Sequence, residues 1–172
     1  MLIYCYSYKG VSHVTNSVFL ANQKFVISIT IIIGFIMLWV YWIYPRDLIS
    51  IIGKEPVIDS NIHLTVTYRN SILDDGSTAE SYSENHTKEV LDYLKSFKYR
   101  RTNTSYRKLD NVEYFIIKIE NDGEEVFRTA VRGDKYLSVI DKDGVWSLYK
   151  VSGNEFDTKV LKNFYESLRS SN

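Results

Sequence analysis

The sequence predicts an α+β protein: an N-terminal single transmembrane helix followed by an antiparallel sheet with two helices packed on it. Three observations carry that expectation. An uncharged apolar run of 20 residues fills Phe25–Tyr44. The C-terminal half alternates apolar and polar residues in short segments separated by glycine-containing turns, the pattern of an antiparallel meander. Two further segments repeat apolar residues at helical spacing, near 86–97 and 155–169.

The apolar run, FVISITIIIGFIMLWVYWIY, contains 12 Ile, Val, Leu or Phe residues. At about 1.5 Å rise per residue it spans about 30 Å, the thickness of a bilayer's hydrocarbon core. Each of the 12 favours insertion by about 0.3–0.6 kcal/mol at a central position. Ser28 and Thr30 can bond back to the helix's own carbonyls, and Trp39, Tyr41, Trp42 and Tyr44 cluster where an aromatic belt sits. A cleaved signal peptide has a shorter apolar core and a small-residue cleavage site. Here bulky Trp42, Ile43, Tyr44, Pro45 and Arg46 follow, and Cys5 precedes the run instead of following it as a lipid-bearing cysteine would. The run therefore reads as an uncleaved anchor in the cell membrane. Residues 1–24 read as a short cytoplasmic tail, poorly ordered by itself. Lys9, Lys24 and the α-amino group lie before the run, and Arg46 and Lys54 after it, which favours a cytoplasmic N-terminus by a thin margin.

Residues 45–58 form a connector, PRDLISIIGKEP and the two residues after it, bracketed by the only two prolines, Pro45 and Pro56. Its LISII run is apolar enough to lie on the membrane surface or on the folded domain. From residue 59 to residue 172 the pattern is that of an extracytoplasmic α+β domain. Ile62, Leu64, Val66 and Tyr68 alternate with polar residues as a half-buried strand. Asp75-Gly76 is a turn, and Ser77–Tyr82 a second strand. The segment HTKEVLDYLKSF follows as a helix, with Val90, Leu91, Leu94 and Phe97 on one face and Ser83 or Asn85 as N-cap. Strands are expected at 112–120, 125–131, 136–140 and 145–151, joined through Asn121-Asp122-Gly123, Arg132-Gly133-Asp134 and Asp141–Gly144. A last helix over 155–169 carries Phe156, Val160, Leu161, Phe164, Tyr165 and Leu168, capped by Asn154 or Asp157.

Composition narrows the function. Lys plus Arg and Asp plus Glu both number 21, for a net charge of zero, so no global field points to nucleic acid, and none is expected as a partner. One cysteine excludes an intrachain disulfide framework. The 18 Ile, 11 Asn and 14 Tyr against 3 Ala suggest an AT-rich, bacterial genome. His13, His63 and His86 are far apart, and DKDG at 141–144 places its glycine too early for a calcium loop. No catalytic, cofactor-binding or metal-ligating set is assigned. The RGD tripeptide at 132–134 reads as turn chemistry.

The one local charge anomaly is KSFKYRRTNTSYRK. It holds Lys95, Lys98, Arg100, Arg101, Arg107 and Lys108 with three aromatics and no acid. It is the candidate anionic-ligand patch, suited to an anionic envelope polymer or phospholipid headgroups. The alternative is cations offsetting a helix dipole and keeping an edge strand soluble.

The runs WIYPRDLISIIG, TKEVLDYLKSFKYRRT, EYFIIKI and DKDGVWSLYKV resemble, over about residues 35–168, a loose group of uncharacterised membrane-anchored small extracytoplasmic proteins of Bacillus-like bacteria. The resemblance implies an envelope location and a non-enzymatic role, and carries no catalytic residue. Three functions follow as expectations. The first is a single-pass protein presenting a binding or regulatory domain at the envelope. The second is a membrane-tethered enzyme acting on envelope components. The third is an immunity or sensor protein whose helix meets a membrane protein partner through Ser28, Thr30 and Gly34.

Overall fold

The computed structural model describes residues 11–70, 76–109 and 112–170. The chain divides into a first unit ending at Tyr41 and a second running from Trp42 to its end. The first unit is helix α1, Val11–Ile43, whose last two residues belong to the second. Within it, Phe25–Ile43 is long and apolar enough to cross a membrane, and none of it is buried by protein. Thr30 Oγ1 donates to the Val26 carbonyl at 3.0 Å, so a hydroxyl in the apolar stretch is satisfied by its own helix. The helix begins 14 residues before Phe25, so residues 11–24 of the expected tail are helical. The rest of that tail lies outside the described residues, as does Asp75 of the expected Asp75-Gly76 turn.

The second unit opens with β1, Arg46–Asp47, and the single-turn helix α2, Leu48–Ile52. There follow β2 (Ile62–Arg69), β3 (Gly76–Ser81), α3 (Glu84–Lys95) and β4 (Lys98–Arg101). A 3-10 turn covers Tyr106–Leu109. Then come β5 (Tyr114–Asn121), β6 (Glu124–Arg132), β7 (Tyr136–Ile140), β8 (Trp146–Ser152) and α4 (Thr158–Ser170). All eight strands form one sheet in the order β1-β4-β8-β7-β6-β5-β2-β3, every pairing antiparallel.

Alternation along the strands creates two unlike faces. On one, Leu64, Val66, Phe115, Ile117, Ile119, Val131, Leu137, Val139, Tyr149 and Val151 are buried. The apolar stripes of α3 (Val90, Leu91, Leu94) and α4 (Leu161, Phe164, Tyr165, Leu168) join them in a single core cluster. Asp157 caps α4, its carboxylate accepting the Lys159 N–H at 2.9 Å. Ser83 occupies the N-cap of α3 without a side-chain cap bond.

The connector is part of this domain. Leu48 and Ile51 are buried in the core cluster. The Ile51 carbonyl accepts the Lys142 N–H at 2.9 Å, which ties α2 to the β7–β8 turn. Gly53 ends α2 at φ +82°, and a Cβ there would lie 2.7 Å from that of Lys142. Both the left-handed backbone and the close approach exclude a side chain. In the β5–β6 hairpin, Asp122 and Gly123 have φ of 51° and 81°, the handedness of a two-residue turn that matches strand twist.

Truncating Leu48 to Ala should lower the stability of the sheet domain by about 2–5 kcal/mol. Urea unfolding of the detergent-solubilised chain, followed by near-ultraviolet circular dichroism, measures this. An unchanged midpoint would return the connector to a passive linker.

Candidate anion-binding face

The second face of the sheet is covered by neither α3 nor α4, and its side chains follow from register. Cross-strand partners run Arg100, Lys150, Tyr136, Arg132, Tyr114 and Arg69 across β4, β8, β7, β6, β5 and β2. At about 4.8 Å between strands, this row of four cations and two tyrosines is about 24 Å long and holds no acid. Among the described residues, none of these four cations has an acidic partner. Arg132 lies between two rings, its guanidinium carbon 4.9 Å from the Tyr114 centroid and 5.6 Å from that of Tyr106. At the β4 end a cavity of about 430 Å³ is lined in part by Arg100, Tyr136 and Lys150.

The adjacent row runs Leu148, Ser138, Ala130, Ile116, Thr67 and Thr78. Ser138 and Ala130 are small, and their larger neighbours stand around them. The result is a cavity of about 280 Å³ walled by Arg128, Arg132, Ile116, Tyr106 and Trp146. Ser138 also lines it, and Ser138 Oγ, Arg128 Nε and Arg132 Nε are buried without a hydrogen-bond partner among the described residues. Arg128 uses a terminal nitrogen on Glu125, which leaves its Nε unspent.

Nearer the β2–β3 edge the side chains of this face meet one another, though His63 Nε2 is a further buried atom with no hydrogen-bond partner among the described residues. Thr67 and Thr78 share a hydroxyl hydrogen bond at 3.1 Å. His63 stacks on Tyr82, and its Nδ1 lies 3.3 Å from Glu120. Lys118, 2.9 Å from Glu120, holds that carboxyl below its usual range, helped by His63 against burial. On the covered face, Ser81 Oγ and His86 Nδ1 share a hydrogen bond at 2.8 Å. No three His, Cys, Asp or Glu side chains among the described residues gather to hold a metal ion.

The six candidate patch residues are placed as follows. Lys95 lies 2.6 Å from Glu55 and 3.3 Å from Asp92. Lys98 pairs with Asp47. Arg101 points to the covered face, 3.1 Å from Asp141 and 3.2 Å from Ser147. Arg100 alone of the four described members joins the uncovered row. Arg107 and Lys108 fall in the 3-10 turn. Lys150, Arg132, Arg128 and Ser138 were not singled out by sequence. The signal available was strand alternation: Arg128, Ala130 and Arg132 share the polar side of one strand, and the turn at 133–135 sets Ala130 opposite Ser138.

Asp141 is the anchor of the Arg101 site. It is 6% exposed and accepts from Ser147 Oγ at 2.7 Å and from the backbone N–H groups of Asp143 and Val145, both at 3.1 Å. Burial pushes its carboxyl up. The Ser147 hydroxyl, the two N–H groups and Arg101 outweigh burial and hold it below the usual carboxylate range.

Comparison with protein-family models, curated proteins and solved structures finds no match to this chain.

Asp141→Asn should cost about 2 kcal/mol at pH 7, the scale of a hydrogen bond to a charged group. A carboxyl with a depressed native pKa contributes fully above its unfolded value of about 3.9. Its contribution is lost as pH falls through the native value. The gap between native and variant melting curves should therefore be constant from pH 7 to 5 and close below about pH 4. A gap that persists at pH 2 would assign the effect to shape alone.

Proposed function

We propose that this chain is a single-pass membrane protein that presents a non-enzymatic binding domain at the cell envelope, where the uncovered sheet face takes an anionic polymer. The observation that carries the reading is the six-strand row Arg100, Lys150, Tyr136, Arg132, Tyr114, Arg69. Cations held in register by a rigid sheet meet a repeating anionic backbone, and the interleaved tyrosines offer flat surfaces to the groups between charges. A sheet fixes this spacing without the entropy cost of ordering a loop. The neutral net charge of the chain keeps the attraction local to this face.

The apolar stretch Phe25–Ile43 serves as the anchor. The domain lies outside the cytoplasm in this reading, which rests on Lys9 and Lys24 on the N-terminal side. The bacterial source rests on composition and on the resemblance to membrane-anchored proteins of Bacillus-like bacteria.

The full chain in zwitterionic nanodiscs should bind poly(glycerol phosphate), with affinity that falls as salt rises. Replacing Arg100 and Lys150 together by Ala should weaken binding about 10- to 30-fold, at about 1 kcal/mol per surface charge. Replacing Lys88 and Lys159, on α3 and α4, should leave it unchanged. Equal loss from both pairs would reduce the attraction to overall charge and remove the assignment to this face. Activity of a reporter that works only outside the cytoplasm, fused after Asn172, tests the orientation, and an inactive but expressed fusion would refute it.

A further inference from the structure

We infer that the cavity over Ala130 and Ser138 is a binding site for a single sugar-sized ring carrying an oxyanion, a carboxylate or a phosphate. The inference deepens the anion-binding reading of this face and shares Arg132 with it, but it stands on separate observations.

The first is the donor set. Ser138 is 2% exposed and is one of the residues that line the cavity, and its Oγ has no hydrogen-bond partner among the described residues. Arg128 and Arg132 line the same cavity, and their buried Nε atoms are in the same condition. Buried polar groups in folded proteins are almost always partnered, so three orphans on one cavity point to a missing acceptor. Two guanidinium N–H groups and a hydroxyl that can donate suit an acceptor with several lone pairs and negative charge. A neutral carbonyl would leave Arg132 uncompensated, Arg128 being already paired with Glu125. A metal ion is excluded by the same donors, since two guanidiniums repel it.

The second is the wall. Tyr106 and Trp146 are 39% and 45% exposed, and with Ile116 and Ala130 they give the cavity its apolar surface. An oxyanion alone needs no such wall. A ring bearing the oxyanion does, because its flat apolar side can lie on an aromatic face while the charge reaches the floor. The third is size. A volume of about 280 Å³ sits at the lower end of the range of small-molecule sites, so it holds one ring and not a chain of them. The rest of an anionic polymer would run on along the cationic row, with Arg132 at the junction.

The probes are glucuronate, glucose 1-phosphate and neutral glucose, read by saturation-transfer difference NMR on the full chain in zwitterionic nanodiscs. Glucuronate or glucose 1-phosphate should bind at least tenfold more tightly than glucose, and which of the two is preferred names the oxyanion. Arg132→Gln should weaken the charged probe at least tenfold, and Trp146→Ala about fivefold. Ser138→Ala should weaken it three- to tenfold while the melting temperature stays level or rises, because it removes a buried hydroxyl that has no partner. Ser138→Ala leaves the cationic row untouched, so its binding to poly(glycerol phosphate) should persist. Polymer binding without probe binding at millimolar concentration would overturn this site and leave the broader reading standing. Probe binding that ignores Ser138→Ala and Trp146→Ala would equally overturn it. Probe binding without polymer binding would keep the cavity and remove the polymer.

Discussion

Every feature of the second unit depends on one constraint: its helices supply apolar surface to a single face of the sheet. A β-strand sends alternate side chains to opposite sides, so each strand must satisfy two different environments. Leu64, Val66, Ile117, Ile119, Val131 and Val139 meet Val90, Leu94, Leu161 and Leu168 and leave water together. The partners of those strand residues on the other side receive no such cover. They are kept in order by pairwise contacts across strands, each worth a fraction of a kcal/mol to about 1 kcal/mol. Toward the β2–β3 edge contacts such as Thr67 with Thr78 close among themselves. At the centre they do not close, and three polar atoms are left over. An unmade buried hydrogen bond costs about 1–3 kcal/mol. Against a typical domain stability of about 5–15 kcal/mol, that is a large standing cost for a surface with no use. An acceptor arriving from outside offsets it.

The elements were legible because their signals are local. The helix Thr158–Ser170 follows from apolar spacing and an Asp cap, and the hairpins follow from glycine-bearing turns at Asp122-Gly123 and Asp143-Gly144. The apolar helix was legible from length and composition, but its N-terminal extension to Val11 was not, since residues 11–24 mix polar and apolar residues without a clear period. The connector read two ways in sequence, on the membrane surface or on the folded domain; Leu48 and Ile51 are core residues and Arg46 pairs with Tyr99, the second of the two.

The uncovered face was harder to read because it is a property of register. The dense basic run from Lys95 to Lys108 is conspicuous in one dimension. Its neutralising acids, Asp47, Glu55 and Asp141, come from segments about 40 to 50 residues away along the chain. The row that remains open in space draws single cations from β2, β4, β6 and β8, and only Arg100 of β4 belongs to the conspicuous run. Charge density along a sequence is therefore a poor guide to charge density on a sheet. Counting by strand face would have found Arg128 and Arg132 with Ala130 between them, but would still have needed the turn lengths to bring Ser138 alongside.

Arg101 and Arg132 show why having a guanidinium is not the same as having an anion site. Arg101 is matched to a carboxylate that is itself held by a hydroxyl and two backbone N–H groups. An incoming anion would have to displace Asp141 and strand it, buried and charged, so the pair is closed to ligands and its role is to fix the β7–β8 turn. Arg132 is held by rings instead. Stacking on Tyr106 and Tyr114 positions the fork without neutralising it, and a guanidinium is weakly hydrated enough to tolerate that setting. An anion reaching Arg132 breaks no ion pair seen among the described residues and finds the group already oriented. Preorganisation of this kind lets a modest number of contacts yield useful affinity. The difference between the two arginines lies in what surrounds them: a buried acid makes one structural, and two tyrosines leave the other available.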